Sequence, residues 1–378
     1  MADNKTAFHS NLSVSSSPHI VTKMDTQRTM IHVLIALIPA CVMAVFYFGT
    51  AALIRIILGP VFCWILEFAY DKLLKKPNTT KDCSCLVTGV ILALNLPSSL
   101  AIWQEFIGCI VAIIVVKCLY GGIGKNIANP AIVGRIVLLL SYSSEMASWP
   151  LTRLQLNGTG VTFISSSDLV DAVTGATAIG ALDDPGTWLP SLQQLFLGNI
   201  GGAMGETCAL AILIGGAFLI WKKVISPIIP CTYIATVFVF ALIYYGITGA
   251  PSQYTALGMA FYHILCGGVM FGAFFCATDY VTSPILKPGK FIYAIGLGLM
   301  TMLIRLFGSY PEGVSFAILL MNILTPLINR VVERQYYGIS KREKEAKRIA
   351  KQEAKAEKIA AKSPEKEAPA DEQEGGKA

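Results

Sequence analysis

Long apolar runs joined by short polar connections limit the folds open to this chain more than any other feature. A helix needs about 17 to 25 residues to cross a bilayer, and about ten runs approach that length. They lie near residues 30–48, 51–70, 83–99, 102–120, 128–143, 202–221, 227–247, 256–276, 290–308 and 312–330. Hydrophobic residues make up 54% of the chain and charged residues only 14%, which excludes an ordinary soluble core. The sequence therefore predicts an all-α polytopic membrane protein with about ten transmembrane helices.

The positive residues of the connections indicate how the runs are oriented. Cytoplasmic loops of membrane proteins carry an excess of Lys and Arg, and here such residues gather on alternate connections. They are Lys5, Lys23, Arg28, Lys72, Lys75, Lys76, Lys81, Lys117, Lys125, Lys222, Lys223, Lys287, Lys290, Arg330 and Arg334. The opposite connections hold almost none except Arg153. This asymmetry predicts that both termini are cytoplasmic and that the loop at 144–201 lies on the outer side.

In this topology the chain has two halves of five runs each, and the halves begin on opposite sides of the membrane. Such an arrangement predicts two inverted five-helix repeats. Breaks rich in Gly, Pro and small polar residues support the repeat, since the third run ends in 95–99 and the eighth in 279–284. Half-helix ends at such breaks face a buried ligand or ion, although Pro and Gly also simply end helices. The short fifth run, which contains Arg135, is likewise typical of a broken or re-entrant segment.

The chain divides into five regions along these lines. They are a cytoplasmic N-terminal arm at 1–29, a first transmembrane half at 30–143, an extracytoplasmic loop at 144–201, a second transmembrane half at 202–335 and a charged cytoplasmic tail at 336–378. Glu and Lys pairs predict that the tail is partly helical, with disorder beyond Pro364. Contact of its basic first half with anionic lipids or a cytoplasmic partner is one interpretation, and an inert solvated tail is the favoured alternative. From Ser340 onward the charges are nearly balanced and no aromatic residue lies among them, so nucleic-acid binding is not indicated.

A polar stretch in the outer loop resembles a site of covalent flavin attachment; it reads Asp171-Ala172-Val173-Thr174-Gly175-Ala176-Thr177. In such a site a transferase links FMN through its phosphate to a threonine hydroxyl, and Thr177 supplies that hydroxyl. Gly175 and Ala176 keep the backbone before it narrow and able to turn. Thr174 belongs to the same motif, and Asp171 is an acidic handle for the transferase or its metal. A capping turn is the alternative, because Asp, Thr and Gly are common in loops.

Ionisable residues within the apolar runs are candidates for an ion path, because an unpaired charge in the membrane is costly. Glu206, at the start of the sixth run, and Asp279, at the end of the eighth, are the two main candidates. Interfacial placement or an internal ion pair is the alternative, and it is favoured for Lys117 and Arg305. The same question applies to Glu67, Arg135 and His263.

The cysteines and histidines do not have the spacing of a metal site. Ten cysteines are scattered along the chain without a Cys-x-x-Cys pair, and the four histidines are far apart. We predict reduced thiols, and no metal or iron–sulfur cluster bound wholly by this chain. The sequence also has no glycine loop of the nucleotide-binding type and assigns no catalytic residue.

Several short motifs, in this order along the chain, together resemble one family. They are Ser17-Pro18-His19, Gly122-Ile123-Gly124-Lys125-Asn126 with Asn129-Pro130-Ala131, Thr174 to Thr177, Gly205-Glu206-Thr207, Ala277-Thr278-Asp279 with Thr282-Ser283-Pro284, and Tyr310-Pro311-Glu312-Gly313-Val314 leading to Met321-Asn322. The family contains the D subunits of Rnf complexes, which are ion-translocating ferredoxin:NAD oxidoreductases, and the B subunits of sodium-pumping NADH:quinone reductases. The short N-terminal arm with its Ser-Pro-His start resembles the Rnf members more closely.

The resemblance implies a redox subunit of a multi-subunit complex in the inner membrane of a bacterium. That complex couples electron flow between ferredoxin and NAD to Na⁺ or H⁺ transport, and the isolated chain is not expected to be active. FMN on Thr177 and a noncovalent riboflavin, whose contacts the sequence does not assign, are the implied cofactors. The implied partners are the other subunits, a flavin transferase and membrane lipids. Ala178 departs from the family pattern, where a proline is expected, so the shape of the loop stays open.

Two other functions fit the same hydrophobic pattern. One is a quinone-reductase-type subunit, which has the same redox role with a different electron acceptor and is distinguished by its partner subunits. The other is an inverted-repeat transporter or channel without redox chemistry, which has no need of Thr177.

Overall fold

The computed structural model describes residues 25–76, 78–152, 174–175, 189–251, 253–308, 313–332, 345–346 and 348–353. Most of the N-terminal arm and three residues of the predicted attachment motif, Asp171, Ala176 and Thr177, therefore lie outside the described residues. The chain forms two units, residues 1–331 and 332–378. In the second unit, the described residues 345–346 and 348–353 are helical.

The first half is built from helices that coincide with the first five apolar runs. They are α1 (Thr26–Phe48), α2 (Thr50–Leu73), α3 (Ser84–Leu94), α4 (Ile102–Ile110) and α5 (Pro130–Ser141). Helix α4 continues without a break into a π-helical segment, Val111–Cys118. A 3₁₀ turn at Thr80–Asp82 precedes α3, and a single turn, α6 (Ser143–Met146), follows α5.

The second half repeats this plan with the last five runs. A short helix, α7 (Leu192–Leu197), precedes it, and its members are α8 (Ala209–Trp221), α9 (Ile228–Thr248), α10 (Ala256–Leu265) with α11 (Val269–Phe271), α12 (Lys287–Phe307) and α13 (Val314–Val331). Helix α11 continues as a π-helical segment, Gly272–Cys276. Each predicted run thus contains a helix.

The lengths of these helices differ more than the apolar runs suggest. Among the described residues, 5 helices are long and apolar enough to cross a membrane, namely α1, α2, α9, α12 and α13. The pair formed by α10 and α11 is bent by 59° and makes a sixth candidate if it is one broken span. Helices α3, α5 and α8 are apolar but shorter. The protein is therefore polytopic, with a set of half-length helices among its full spans.

The prediction was wrong about two helix ends, and backbone hydrogen bonding explains both. The third run was expected to be helical to residue 99, but α3 ends at Leu94, where Asn95 Nδ2 donates back to the carbonyl of Ile91 at 2.8 Å. The sixth run was expected to be helical from residue 202, but α8 begins at Ala209. The irregular residues before α8 satisfy the end of α3, since Met204 N donates to Leu96 O at 3.2 Å and Gly205 N donates to Leu94 O at 2.7 Å.

The all-α prediction also needs a small correction. Two short strands, β1 (Trp149–Pro150) and β2 (Thr174–Gly175), pair antiparallel. Trp149 is opposite Gly175, and Pro150 is opposite Thr174. The pair is too short to form a layer of its own, but it ties part of the loop at 144–201 to the end of the first half.

Helix packing recurs in the two halves. In the first half α2 packs against α3 and α4, α4 packs against α5, and α1 packs against α3. The equivalent contacts of the second half are all present, since α9 packs against α10 and α12, α12 against α13, and α8 against α11. The halves meet through equivalent members as well, α1 with α8 and α5 with α13.

Small residues let the helices approach closely, as is usual within membranes. A Cβ added to Gly89 of α3 would lie 2.5 Å from Pro60 Cα of α2. A Cβ added to Gly215 of α8 would collide with the backbone carbonyl oxygen of Ala36 in α1. The second contact joins the two halves, so its close fit depends on the absence of a side chain at Gly215.

We expect Gly215→Ala to destabilise the protein by about 1–3 kcal/mol, because the new methyl group overpacks a backbone contact that cannot yield like a flexible side chain. The matched control is Gly246→Ala in α9, where a Cβ has nothing within 4 Å and alanine is the better helix former. Thermal unfolding of the purified protein in detergent compares the two. Equal stability of both variants would show that α1 and α8 are not packed this closely.

Candidate functional site

The beginning of the predicted attachment motif is anchored on the first half. The backbone of Thr174 and Gly175 forms β2, which pairs with β1 after α6. Trp149 of β1 is 5% exposed, so the anchor is buried. Thr177, two residues beyond β2, is outside the described residues, as are Asp171 and Ala176. The described backbone thus ties the start of the motif to one place on the fold.

The same anchor contacts the irregular segment that precedes α8. Thr152 Oγ1 donates to Asn199 Oδ1 at 2.5 Å. A Cβ added to Gly201 would lie 3.7 Å from the carbonyl oxygen of Pro150. The start of the attachment motif and the segment that contains Glu206 are therefore neighbours in the fold.

Glu206 is buried at the break between α10 and α11. Its exposed fraction is 6%, and its Oε1 accepts a hydrogen bond from Ala203 N at 3.0 Å. Its Oε2 lies so close to Gly268 that a Cβ there would be 2.5 Å away. Gly268 has a φ of 73° and directly precedes α11. The carboxylate thus faces the amide end of a half-helix, where a negative charge is stabilised.

Arg305 of α12 faces the opposite side of the same break. Its Nη1 donates to the carbonyl of His263 at 2.6 Å, and its Nη2 donates to those of Cys266 at 2.9 Å and Gly267 at 2.8 Å. These carbonyls form the C-terminal end of α10, where a cation is favourable. The sequence favoured an interfacial position or an internal ion pair for Arg305. The structure gives it this backbone cap instead, which satisfies carbonyls that the broken helix would otherwise leave unpaired.

A cavity lies between the two halves, at the other end of α11. Side chains from α3, the segment before α5, and the residues after α11 line it. Its polar lining consists of Ser84, Thr88, Lys117, Asn126, Asn129, Thr278 and Asp279. Aromatic walls come from Phe274, Phe275 and Tyr280. The combination of aromatic walls with amide and hydroxyl groups suits a flat, polar-edged ligand.

Hydrogen bonding within the protein accounts for several of these polar groups. Thr88 Oγ1 donates to Ser84 O at 3.0 Å and Thr278 Oγ1 to Phe274 O at 2.7 Å. Asn129 caps α5 and donates from Nδ2 to Cys276 O at 3.1 Å. The buried Oδ1 of Asn126, in contrast, has no hydrogen-bond partner among the residues that the structure describes. Asn126 therefore offers an acceptor to a ligand in the cavity.

The two ion-path candidates lie at opposite ends of α11. Glu206 faces Gly268 at its start, and Asp279 follows Cys276 at its end. The helical residues 269–276, which lie between them, span about 12 Å at 1.5 Å per residue. Asp279 is half-buried in the cavity wall, and its Oδ2 accepts from Thr282 Oγ1 at 3.1 Å. The fold does not join Glu206 and Asp279 in one site, although it aligns them along one short helix.

A buried ion pair stands beside the cavity. Lys117 Nζ lies 2.6 Å from Glu67 Oε2 and also donates to Ser84 Oγ at 2.7 Å. The Thr79 hydroxyl donates to Glu67 Oε1 at 2.7 Å. Of the two placements favoured for Lys117, at an interface or in an internal ion pair, the structure shows the ion pair. It is well compensated, because both charges have further hydrogen-bond partners.

The structure contains a second buried ion pair, which the sequence did not predict. Arg55 of α2 lies 3.8 Å, Nη1 to Oε2, from Glu105 of α4, and Glu105 is fully buried. A signal was present, since each residue interrupts an apolar run near its beginning. The sequence does not say that α2 and α4 bring the two charges together.

The cysteines do not gather into a ligand set in the described part of the chain. No group of three or more Cys, His, Asp or Glu side chains there has the geometry to hold a metal ion. Cys63, Cys85, Cys109 and others are buried free thiols on different helices.

Comparison with known proteins identifies the family to which the chain belongs. The model of the NQR2, RnfD, RnfE family matches residues 13–338. The D subunit of the Na⁺-translocating ferredoxin:NAD⁺ oxidoreductase complex of Acetobacterium woodii is 44% identical over 340 residues, which are 89% of this chain and 98% of the relative.

Two further relatives agree. The D subunit of the proton-translocating ferredoxin:NAD⁺ oxidoreductase complex of Clostridium ljungdahlii is 38% identical over 334 residues, 86% of this chain and 96% of the relative. The D subunit of the ion-translocating oxidoreductase complex of Actinobacillus succinogenes is 38% identical over 356 residues, 87% of this chain and 99% of the relative. The predicted resemblance is confirmed, and the chain belongs to the NQR2, RnfD, RnfE family.

Proposed function

We propose that this protein is the membrane electron-transfer subunit of an Rnf-type complex, in which electron flow between ferredoxin and NAD drives ion transport. The observation that carries the proposal is the near full-length similarity to relatives named as the D subunits of such complexes. The same names favour the Rnf assignment over the quinone-reductase alternative. The other subunits of the complex are then its partners, and the exposed apolar faces of its long helices contact them or membrane lipids.

We also propose ten transmembrane helices arranged as two inverted five-helix repeats. The helix found in every apolar run and the helix contacts that recur in both halves support this arrangement. Half-length helices such as α3, α5 and α8 fit it as well, because inverted repeats commonly contain broken spans whose ends face a central site. The alternating Lys and Arg of the connections place both termini in the cytoplasm and the attachment motif on the outer side.

Thr177 is the proposed point of covalent FMN attachment through a phosphoester, which a flavin transferase forms. Asp171, Thr174, Gly175 and Ala176 present the Thr177 hydroxyl on a narrow loop. FMN supplies an electron carrier that accepts and releases electrons singly or in pairs. The pairing of β2 with β1 supports the proposal, because it gives the loop a buried anchor close to the protein surface.

The cavity between the halves is the proposed site of the noncovalent flavin, riboflavin. Its residues fit that group, since the free acceptor of Asn126 and the Asp279 carboxylate offer partners for the N–H and hydroxyl groups of the ligand. Phe274 and Phe275 provide apolar walls that exclude water from its ring. These side chains bind and orient the ligand.

Glu206 and Asp279 are the proposed ion-path residues. Glu206 supports this role by its burial at a helix break, and Asp279 by its place in the cavity wall. The similarity to relatives does not select the ion, because the relatives from Acetobacterium woodii and Clostridium ljungdahlii are named for Na⁺ and for protons respectively.

Replacing Thr177 with Val should remove the covalent flavin while leaving the protein folded, since only one hydroxyl of the outer loop is lost. The measurement is flavin fluorescence of the denatured protein in a gel, after expression with an active transferase. Thr162→Val, a threonine of the same loop outside the motif, is the control and should keep the fluorescence. A fluorescent Thr177→Val band would refute the attachment site.

Replacing Asn126 with Leu should deplete the noncovalent flavin, because a buried ligand loses a hydrogen-bond partner and meets a branched apolar side chain instead. Thr278→Val is the matched control, since that hydroxyl is already used by Phe274 O and its loss keeps the shape of the wall. Acid-extracted flavin, determined by chromatography on the purified complex, should fall several-fold in the first variant alone. Equal flavin content in both variants would place the ligand elsewhere.

Replacing Glu206 with Gln should impair ion transport while the covalent flavin stays attached. The amide oxygen of Gln can still accept from Ala203 N, so the local fold is kept while the charge is lost. Ion uptake per electron transferred, measured with the complex in vesicles, should fall several-fold. An unchanged ratio would remove Glu206 from the ion path.

A further inference from the structure

The two buried carboxylates of the first half are compensated very differently. Glu67 has an ammonium at 2.6 Å and a hydroxyl donor at 2.7 Å. Glu105 has only the guanidinium of Arg55, at 3.8 Å, and within the described ranges neither of its oxygens accepts a hydrogen bond. One pair is thus a closed, hydrogen-bonded unit, and the other is a loose contact between two charges.

The surroundings of Glu105 contain no second source of compensation in the part of the chain that the structure describes. Helix α4 packs against α2, α3 and α5. On α2, Arg55 lies 3.8 Å from the Glu105 carboxylate. Helix α3 has no charged residue. On α5, Arg135 donates from Nη1 to the hydroxyl of Ser315 in α13 at 2.8 Å. The nearest thiol on the same helix, Cys109, donates to Gly59 O. Arg55 is therefore the counter-charge on which the ionised form of Glu105 depends.

Arg55 interacts with two groups, a backbone carbonyl and the Glu105 carboxylate. Its Nε donates to the carbonyl of Ser98, just after the end of α3, at 3.1 Å. Its Nη1, which lies nearest to Glu105, has no hydrogen-bond partner in the described part of the protein. The guanidinium is thus held by a backbone carbonyl as well as by its contact with Glu105.

The Glu105 carboxyl group also fits against α2 because residue 59 is a glycine and has no side chain. A Cβ added to Gly59, one helical turn after Arg55 on α2, would lie 2.8 Å from Glu105 Oε1. The carboxyl group therefore sits against bare backbone and beside a fixed cation. A buried ion pair is stable only when hydrogen bonds satisfy its remaining lone pairs. Since Glu105 lacks them, its ionised form gains little from burial, and its neutral form is accessible.

A metal cation does not suit this place. Ions such as Na⁺ bind where several oxygen ligands converge, as other hard cations do. Here a single carboxylate lies beside a guanidinium that repels cations, and the nearby Ser98 carbonyl is already used by Arg55. A proton needs one oxygen only.

We propose that Glu105 binds and releases a proton inside the membrane, with Arg55 as its fixed counter-charge. In the binding step a carboxylate oxygen of Glu105 forms an O–H bond with a proton delivered by water, and Arg55 keeps its own protons. In the release step that O–H bond breaks and the proton returns to water. The role rests on the proposed ion transport and adds a proton site in the half of the chain that does not contain Glu206 or Asp279.

The test is infrared difference spectroscopy on the purified complex, recorded between low and high pH. The wild-type complex should show the carbonyl-stretch band of a protonated buried carboxyl group that disappears as the pH rises. Glu105→Gln should abolish this band. Glu67→Gln, the matched control, should leave it unchanged, because Glu67 is held by an ammonium and a hydroxyl group and takes no part in the proposed site.

A second variant keeps the test decisive if Glu105→Gln folds poorly. Arg55→Met removes the counter-charge and keeps much of the side-chain length, so Glu105 should stay neutral and its band should persist at high pH. A wild-type spectrum without a titrating carboxyl band, or a band that survives in Glu105→Gln, would overturn the proposal.

The same samples separate this proposal from the proposed function. Flavin fluorescence of the denatured chain reports on Thr177 and is independent of Glu105. A fluorescent chain without the titrating band would overturn the proton site alone. A titrating band that requires Glu105 in a chain without covalent flavin would support the proton site and overturn the flavin attachment.

Discussion

The structure depends on hydrogen bonds between the backbone groups at the end of α3 and those in the segment before α8. Helix α3 stops early, and the carbonyls of Leu94 and Leu96 accept from Gly205 N and Met204 N in the segment before α8. Without water, each unpaired carbonyl or amide costs several kcal/mol, so a broken helix survives only where another backbone supplies its partners. This exchange joins the first half to the second, and it places Glu206 immediately beside the junction.

Charged side chains serve the breaks in the same way. Arg305 caps the carbonyl end of α10, while Glu206 faces the amide end of α11, so each half-helix has the charge that its dipole favours. Arg55 does the same for the Ser98 carbonyl after α3. These buried ionisable groups thus stabilise the ends of broken helices. Any further function proposed for one of them must be compatible with that role.

The sequence predicted more of the fold than of the site. Apolar runs are local and long, so a helix was predictable in each of them, whereas the short helix α7 falls in the predicted loop. Lys117 was expected at an interface or in an internal ion pair, and it forms the ion pair. The ends of α3 and α8 were not predictable, because their hydrogen-bond partners come from distant parts of the chain. Arg305 was expected at an interface or in an ion pair and caps a helix instead. Arg55 and Glu105 were missed because neither residue reveals its partner on another helix.

The sequence by itself determined that this chain is a polytopic membrane protein of a recognisable family, since hydrophobic length, loop charge and motif order are all written along the chain. Tertiary structure alone decided which helices are broken, which carboxylates share a cation and where the cavity lies. The physical reason is that burial in a membrane removes water as the default partner of every polar group. Each such group must then find a partner elsewhere in the fold, and only the packed helices determine which one it meets.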